Sequence, residues 1–223
     1  EVANLIKKEK KIYIITPEQF SFTAEKNLME TIDQKAVLNA EVITLSRMAY
    51  RVINSEGGRI KTNLSGSGKA MLIYNVLDEE KKKLNFIGKN DQNIDTVLTQ
   101  ITEFKKHNIT PEIMEQNITN INDTYLKMKL EDMYKIYNLY NKTIQNNYID
   151  ENDLLTILAE KLDVTKEFNN ADIYIDEFVG FTTQEYEIIK KILNIAKSVT
   201  ITVCMDNVIE EKEADVDIFC NNK

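Results

Sequence analysis

Residues 171–193 read Ala-Asp-Ile-Tyr-Ile-Asp-Glu-Phe-Val-Gly-Phe-Thr-Thr-Gln-Glu-Tyr-Glu-Ile-Ile-Lys-Lys-Ile-Leu. Ile173, Tyr174 and Ile175 form a β-branched and aromatic run of the kind that makes a buried strand, and the run stops at two adjacent carboxylates, Asp176 and Glu177. Thr182 or Thr183 is placed to cap a following helix whose apolar stripe is Ile188, Ile189, Ile192 and Leu193. A further strand pattern, Val199, Ile201 and Val203, ends at Asp206. Strand, helix and strand make a βαβ unit, which requires parallel pairing and brings both acidic ends to one edge of the sheet. Acids at the carboxyl ends of parallel strands can hold a metal ion or polarise a water. The plain alternative is a strand that exits to solvent through acidic residues.

Outward from this unit the same alternation recurs. Residues 11–16 predict a strand stopped by Pro17, which fits the first turn of a helix running to about Asp33 with Phe20, Phe22, Ala24 and Leu28 as core candidates. Residues 41–45 predict a second strand, and Ser46 is placed to cap a helix carrying Met48, Ala49, Val52 and Ile53, ended by Gly57 and Gly58. Between these pairs and the organising unit the pattern turns helical. Ile94, Val97, Leu98, Ile101 and Phe104 recur at helical spacing. So do Tyr125, Met128, Met133, Ile136, Tyr137, Tyr140 and Ile144, and then Leu154, Leu155, Ile157 and Leu158. Such stripes are explained by helix packing alone. Residues 145–153 and 161–172, rich in Asn, Asp and Lys, are expected to be connections. The reading is an α/β core in two parts, 1–58 and 165–223, with all strands parallel, interrupted by a large helical insertion at 59–164. Glu1 opens the chain without a methionine, and Val2, Leu5 and Ile6 predict the end of an amphipathic helix, so an upstream strand and loop are expected. The edge at 199–204 is then expected to lie exposed.

Six stretches carry a resemblance, two to helicases in general and four, in order, to one family. Ile-Tyr-Ile-Asp-Glu-Phe at 173–178, with Gln184 and Glu185 following, is similar to the Walker B strand of superfamily 1 helicases of the UvrD type, and 200–206 is similar to their motif III strand, ending at Asp206. Thr-Pro-Glu-Gln-Phe at 16–20, Val-Ile-Thr-Leu-Ser-Arg-Met-Ala-Tyr-Arg-Val at 42–52, Glu-Phe-Lys-Lys-His-Asn-Ile-Thr-Pro-Glu at 103–112 and Gly-Phe-Thr-Thr-Gln-Glu at 180–185 together resemble the amino-terminal region of the AddB family, the B subunits of bacterial helicase-nucleases. The resemblance implies a P-loop type, helicase-like sheet with a helical 1B insertion, an A subunit as partner in a heterodimer, and double-strand break processing on duplex and single-stranded DNA. It implies ATP and Mg for the whole protein only, and an iron-sulfur nuclease outside this chain.

Composition narrows the chemistry. A chain of 223 residues with 43% apolar and 29% charged side chains can bury a real core. It shows no apolar run of membrane-spanning length and no signal peptide, so a cytoplasmic protein with no membrane partner is expected. Cys204 and Cys220 fit a reducing compartment, the first as core and the second in a polar tail. The net charge of -8 argues against a broad phosphate-binding face. A single histidine, His107, beside Lys105 and Lys106 near a helix end, and two distant cysteines make no zinc site and no nucleophile–histidine pair. The acidic run Glu210, Glu211, Glu213, Asp215 and Asp217 is expected to be a solvated loop.

Leu-Ser-Gly-Ser-Gly-Lys-Ala-Met at 64–71 superficially suggests a phosphate loop, but Asn63 and Ala70 stand where Gly and Ser or Thr are needed. Ser65 or Ser67 capping a helix from about Lys69 is the better reading. Val179 and Gly180 replace the Gln and Asp that continue motif II in active relatives, and no Gln follows Asp206 closely, so no catalytic or metal-binding residue is assigned. Three functions follow as hypotheses: a DNA-engaging, helicase-like scaffold of a recombination enzyme, a competent ATPase, or a helical interaction module without a DNA role. The first is preferred. Parallel strands deliver Gln19 and Ser21, Leu45, Arg47 and Tyr50, and Phe178 and Phe181 to one edge. Arg and Gln can contact base edges and the rings can stack bases. The alternative is that Tyr50 and Phe181 simply pack and that Arg47 sits on an exposed helix start. The resemblance implies that this edge reads a recombination hotspot in single-stranded DNA.

Overall fold

The computed structural model describes residues 11–32, 39–56, 62–87, 93–144 and 148–203. In chain order its strands are β1 (Ile12–Ile15), β2 (Ala40–Ile43), β3 (Thr62–Asn63), β4 (Tyr148–Ile149), β5 (Asp172–Ile175) and β6 (Ser198–Ile201). Four of them form a parallel sheet in the order β2-β1-β5-β6, and β3 and β4 form a separate parallel pair. The α/β reading with a parallel sheet therefore holds. Registers pair Ile15 with both Ile43 and Ile175, and Ile175 with Ile201. All four strands consequently end at one level, and Thr16, Thr44, Asp176 and Thr202 leave the same edge.

The helices are α1 (Ser21–Ile32), α2 (Leu45–Ser55), α3 (Gly66–Glu80), α4 (Ile94–Lys106), α5 (Pro111–Ile118), α6 (Thr124–Ile144), α7 (Glu151–Lys161) and α8 (Thr183–Ile195). Side chains alternate across a strand, so each strand serves two layers. Tyr13, Ile15, Ile43, Ile173 and Ile175 join Met48, Val52, Leu154, Leu158, Ile188 and Ile192 of α2, α7 and α8 in the larger core. Ile12, Ala40 and Val42 meet Leu28 of α1 on the other face. Phe168 lies fully buried before β5, with its ring edge-on to Tyr13 at 4.9 Å.

Helices α3 to α6 share a second core built from Ile73, Val76, Val97, Ile101, Met133, Ile136 and Tyr140. The two cores have no buried residue in common. Helix α7 lies within the 59–164 span, yet it contributes Leu154 and Leu158 to the sheet's core. In the helical unit, Asp132 is wholly buried and its Oδ2 accepts from the backbone amides of Asn85, Phe86 and Ile87 at 2.9, 2.6 and 3.2 Å, which pins the loop after α3 to α6.

Several expectations are corrected. Thr44, not Ser46, caps α2: its extended backbone lets Oγ1 accept from Arg47 N, and the helix begins at Leu45. Phe22, Tyr125, Met128 and Leu193 belong to no core, with exposures of 77%, 63%, 38% and 54%. Each lies on an apolar stripe that is wider than the face its helix buries. The connection expected at 145–153 instead holds β4 and the first turn of α7. Asp206, Gly57, Gly58, both cysteines, the acidic run and the residues before Lys11 lie outside the described residues. Among the described residues β6 is hydrogen-bonded on one side only, and Ile201 is 38% exposed. No helix among them is long and apolar enough to cross a membrane.

Candidate functional site

Because the four strands end level, the segments that leave β1, β2 and β5 converge. Together they wall a cleft of about 330 Å³, floored by Thr16 and Leu45 and bounded by Gln19, Phe178 and Leu155 of α7. Thr16 is 1% exposed, and its buried Oγ1 has no partner among the described residues. Thr44 Oγ1 donates to Glu18 Oε1 at 2.6 Å, so one carboxylate is fixed at the rim. Glu185 is fixed as well: its side chain accepts from Thr182 N at 2.7 Å while Thr182 accepts from Glu185 N, a reciprocal cap that starts α8. With Glu177, the cleft lining among the described residues holds three carboxylates and no Lys or Arg.

The two acids at the end of β5 separate. Asp176 lines a different cavity, with Ile14, Phe20 and Leu28 under α1, and Glu177 borders both cavities. Asp176 Oδ1 accepts from Glu177 N at 2.9 Å and from the Thr202 hydroxyl. Glu177 takes φ 65°, a left-handed conformation that costs a non-glycine residue about 1 kcal/mol or more and turns the chain into the cleft wall. Among the described residues no cluster of three or more His, Cys, Asp or Glu is placed for a metal.

Of the remaining candidates, Gln19, Leu45 and Phe178 reach the cleft. Phe181 stands behind Phe178, ring centroids 5.1 Å apart, and meets Tyr186 edge-on at 5.8 Å. Ser21 is buried and donates to Glu18 O at 3.0 Å, a turn-forming role. Arg47 is exposed and pairs with Glu25 at 3.2 Å, and Tyr50 accepts from Asn63; neither lines the cleft.

The described lining does not fit a nucleoside triphosphate, since carboxylates without a cation among them repel phosphates. The Gly-Ser-Gly-Lys stretch offers no cradle either. Ser65 caps α3 through Gly68 N, and Lys69 is 8% exposed with Nζ 2.6 Å from Asp150 Oδ1 and 3.0 Å from Glu151.

Lys69 belongs to a buried ion cluster that sequence reasoning missed. Asp150, 1% exposed, caps α7; Lys105 Nζ lies 3.1 Å from its Oδ2 and 2.7 Å from Asp153, and Tyr140 OH donates to the same Oδ2 at 3.1 Å. Burial alone would raise the Asp150 carboxyl, but Lys105, Lys69 and the Asn152 amide outweigh it and hold the group below the usual range. The signal was present. Lys105 continues the four-residue spacing of Val97 and Ile101, and Lys69 precedes Ile73 by four, so both cations sit on apolar stripes where only a buried partner can satisfy them.

The fold and site define a parallel α/β protein with an acidic cleft at the carboxyl ends of its strands and, between β2 and β5 in the chain, helices α3 to α6 packed around a core of their own. The chain belongs to the AddB amino-terminal family, whose model, described as "ADDB, N-terminal", matches residues 1–223. It is 42% identical over 215 residues to the B subunit of the ATP-dependent helicase/deoxyribonuclease of Clostridium botulinum strain Hall, covering 95% of this chain and 19% of the relative. To the proteins of the same name from Clostridium tetani strain Massachusetts and Clostridium perfringens strain SM101 it is 41% and 38% identical, over 95% and 96% of this chain and 19% of each relative. The chain thus spans about a fifth of the length of these relatives.

Proposed function

We propose that this chain is the helicase-like amino-terminal part of the B subunit of a bacterial helicase-nuclease acting in recombinational repair, and that its cleft engages single-stranded DNA through the bases. The division into a P-loop type core at 1–58 and 165–223 with a 1B-like insertion at 59–164 belongs to the same proposal, as do an A-subunit partner and ATP, Mg and an iron-sulfur cluster used elsewhere in the assembly. The observation that carries the reading is the cleft lining, which among the described residues holds ring, amide, hydroxyl and carboxylate groups and no cation. Bases present π-faces and exocyclic amino groups, which such groups stack on and accept from, whereas phosphates need Lys or Arg. This chain therefore reads rather than drives, and it owes its hold on the strand to a basic partner surface.

The test is made in the complete two-subunit enzyme. Gln19→Ala and Phe178→Ala are expected to abolish the response to the recombination hotspot while unwinding and digestion of other DNA continue near the wild-type rate. Arg47→Ala, outside the cleft, is the matched control and is expected to keep the response. Wild-type hotspot response in both cleft variants would move the site elsewhere.

A further inference from the structure

We propose that the first turn of α7 is a joint that couples the cleft loop to the helical unit. Three side chains of that unit, Lys69 of α3, Lys105 of α4 and Tyr140 of α6, converge on Asp150 at 2.6, 3.1 and 3.1 Å. The helix that Asp150 caps carries Leu155 to the cleft wall. From the same turn, Asn152 O accepts from Gln184 Nε2 at 2.9 Å, and Thr156 Oγ1 accepts from the same amide at 2.9 Å. Gln184 is 2% exposed and lies in the first turn of α8, next to the cap that ends the Phe178–Phe181 loop. A second link joins His107, at the end of α4, to Thr183 through Nδ1 and Oγ1, 3.2 Å apart. The joint is thus polar and directional where the two apolar cores stay separate.

That chemistry matters for motion. A desolvated ion cluster is satisfied in one setting and loses its bonds on a small displacement. A shift of the helical unit therefore moves α7 and α8 together, and with them the side of the cleft formed by Leu155, Glu185 and the loop that α8 closes. Linkage is reciprocal, so a change at the loop must reach the helical unit to the same degree.

Hydrogen exchange read by mass spectrometry on the whole protein tests this without any ligand, so its outcome is independent of what the cleft binds. In Gln184→Met, amides 103–107 and 152–153 are expected to exchange at least tenfold faster, although none lies in α8. In Lys105→Met, the hydrogen-bonded amides of Glu177, Thr182, Glu185 and Tyr186 are expected to do the same. Tyr140→Phe, which removes only one bond to Asp150, carries this reverse arm if Lys105→Met does not fold. Lys190→Ala, on the exposed face of α8, is the control and is expected to leave 103–107 unchanged. Acceleration confined to the mutated element in either direction would overturn the joint.

Discussion

Asp150 shows what a single buried carboxylate does here. It satisfies two lysines, a tyrosine and a helix N-terminus at once. Lys105→Met leaves that charge with one cation fewer and is expected to cost about 3–5 kcal/mol, measured by denaturant unfolding. The pH dependence follows from the direction of its shift. A carboxyl held below its ordinary value of 3.8 contributes stability above that value and loses it as pH falls through the folded-state value. Wild type should therefore show a steep loss of stability below 3.8 that is shallower in Asp150→Asn, as read from melting temperature against pH. At the opposite end, burial first and then the Glu167 carboxylate push Tyr13 from 10.0 to about 12. A raised tyrosine resists ionisation in the folded state, so stability is complete below 10.0 and falls between there and about 12. Tyr13→Phe should lessen that alkaline loss. Residues of this kind were the least legible in the sequence, because a lysine on an apolar stripe signals a buried partner without saying which.

At the scale of elements, the strands were the most legible part of the chain. The Ile-Tyr-Ile-rich runs became β1 and β5 with the expected parallel pairing, and of Thr182 and Thr183, either of which could start the next helix, it is Thr182 that caps it, reciprocally with Glu185. Thr182→Ala should cost about 1 kcal/mol by thermal unfolding. It should also loosen the Phe178–Phe181 loop, because the cap fixes where that loop ends. Helix faces were less legible. Phe22 and Tyr125 follow helical periodicity, but which side of a stripe is covered depends on neighbours distant in sequence. Phe22→Ala is accordingly expected to change stability by less than about 0.5 kcal/mol, whereas Phe168→Ala, in the sheet's core, should cost about 3–5 kcal/mol.

For the whole molecule, the parallel pairing that brings the strand ends to one edge was legible in the sequence, whereas which side chains line the cleft there was not. Gln19, Leu45 and Phe178 meet there because β1, β2 and β5 end in register, whereas Arg47 and Tyr50 are carried onto the far faces of α2 by its rotation from the Thr44 cap. The acidic lining sets what the cleft can hold. Calorimetric titration with Mg-ATP should accordingly show no micromolar binding to this chain, and binding of that strength would restore the ATPase reading. Everything proposed for the cleft turns on whether bases of a single strand occupy it. Photocrosslinking of single-stranded DNA carrying 5-iodouracil within the hotspot to the complete two-subunit enzyme, followed by peptide mapping, asks this outright. Crosslinks are expected at Phe178 or at residues 17–19 and should weaken when the hotspot sequence is scrambled; crosslinks confined to other regions, or equally strong with the scrambled strand, would refute base reading by the cleft.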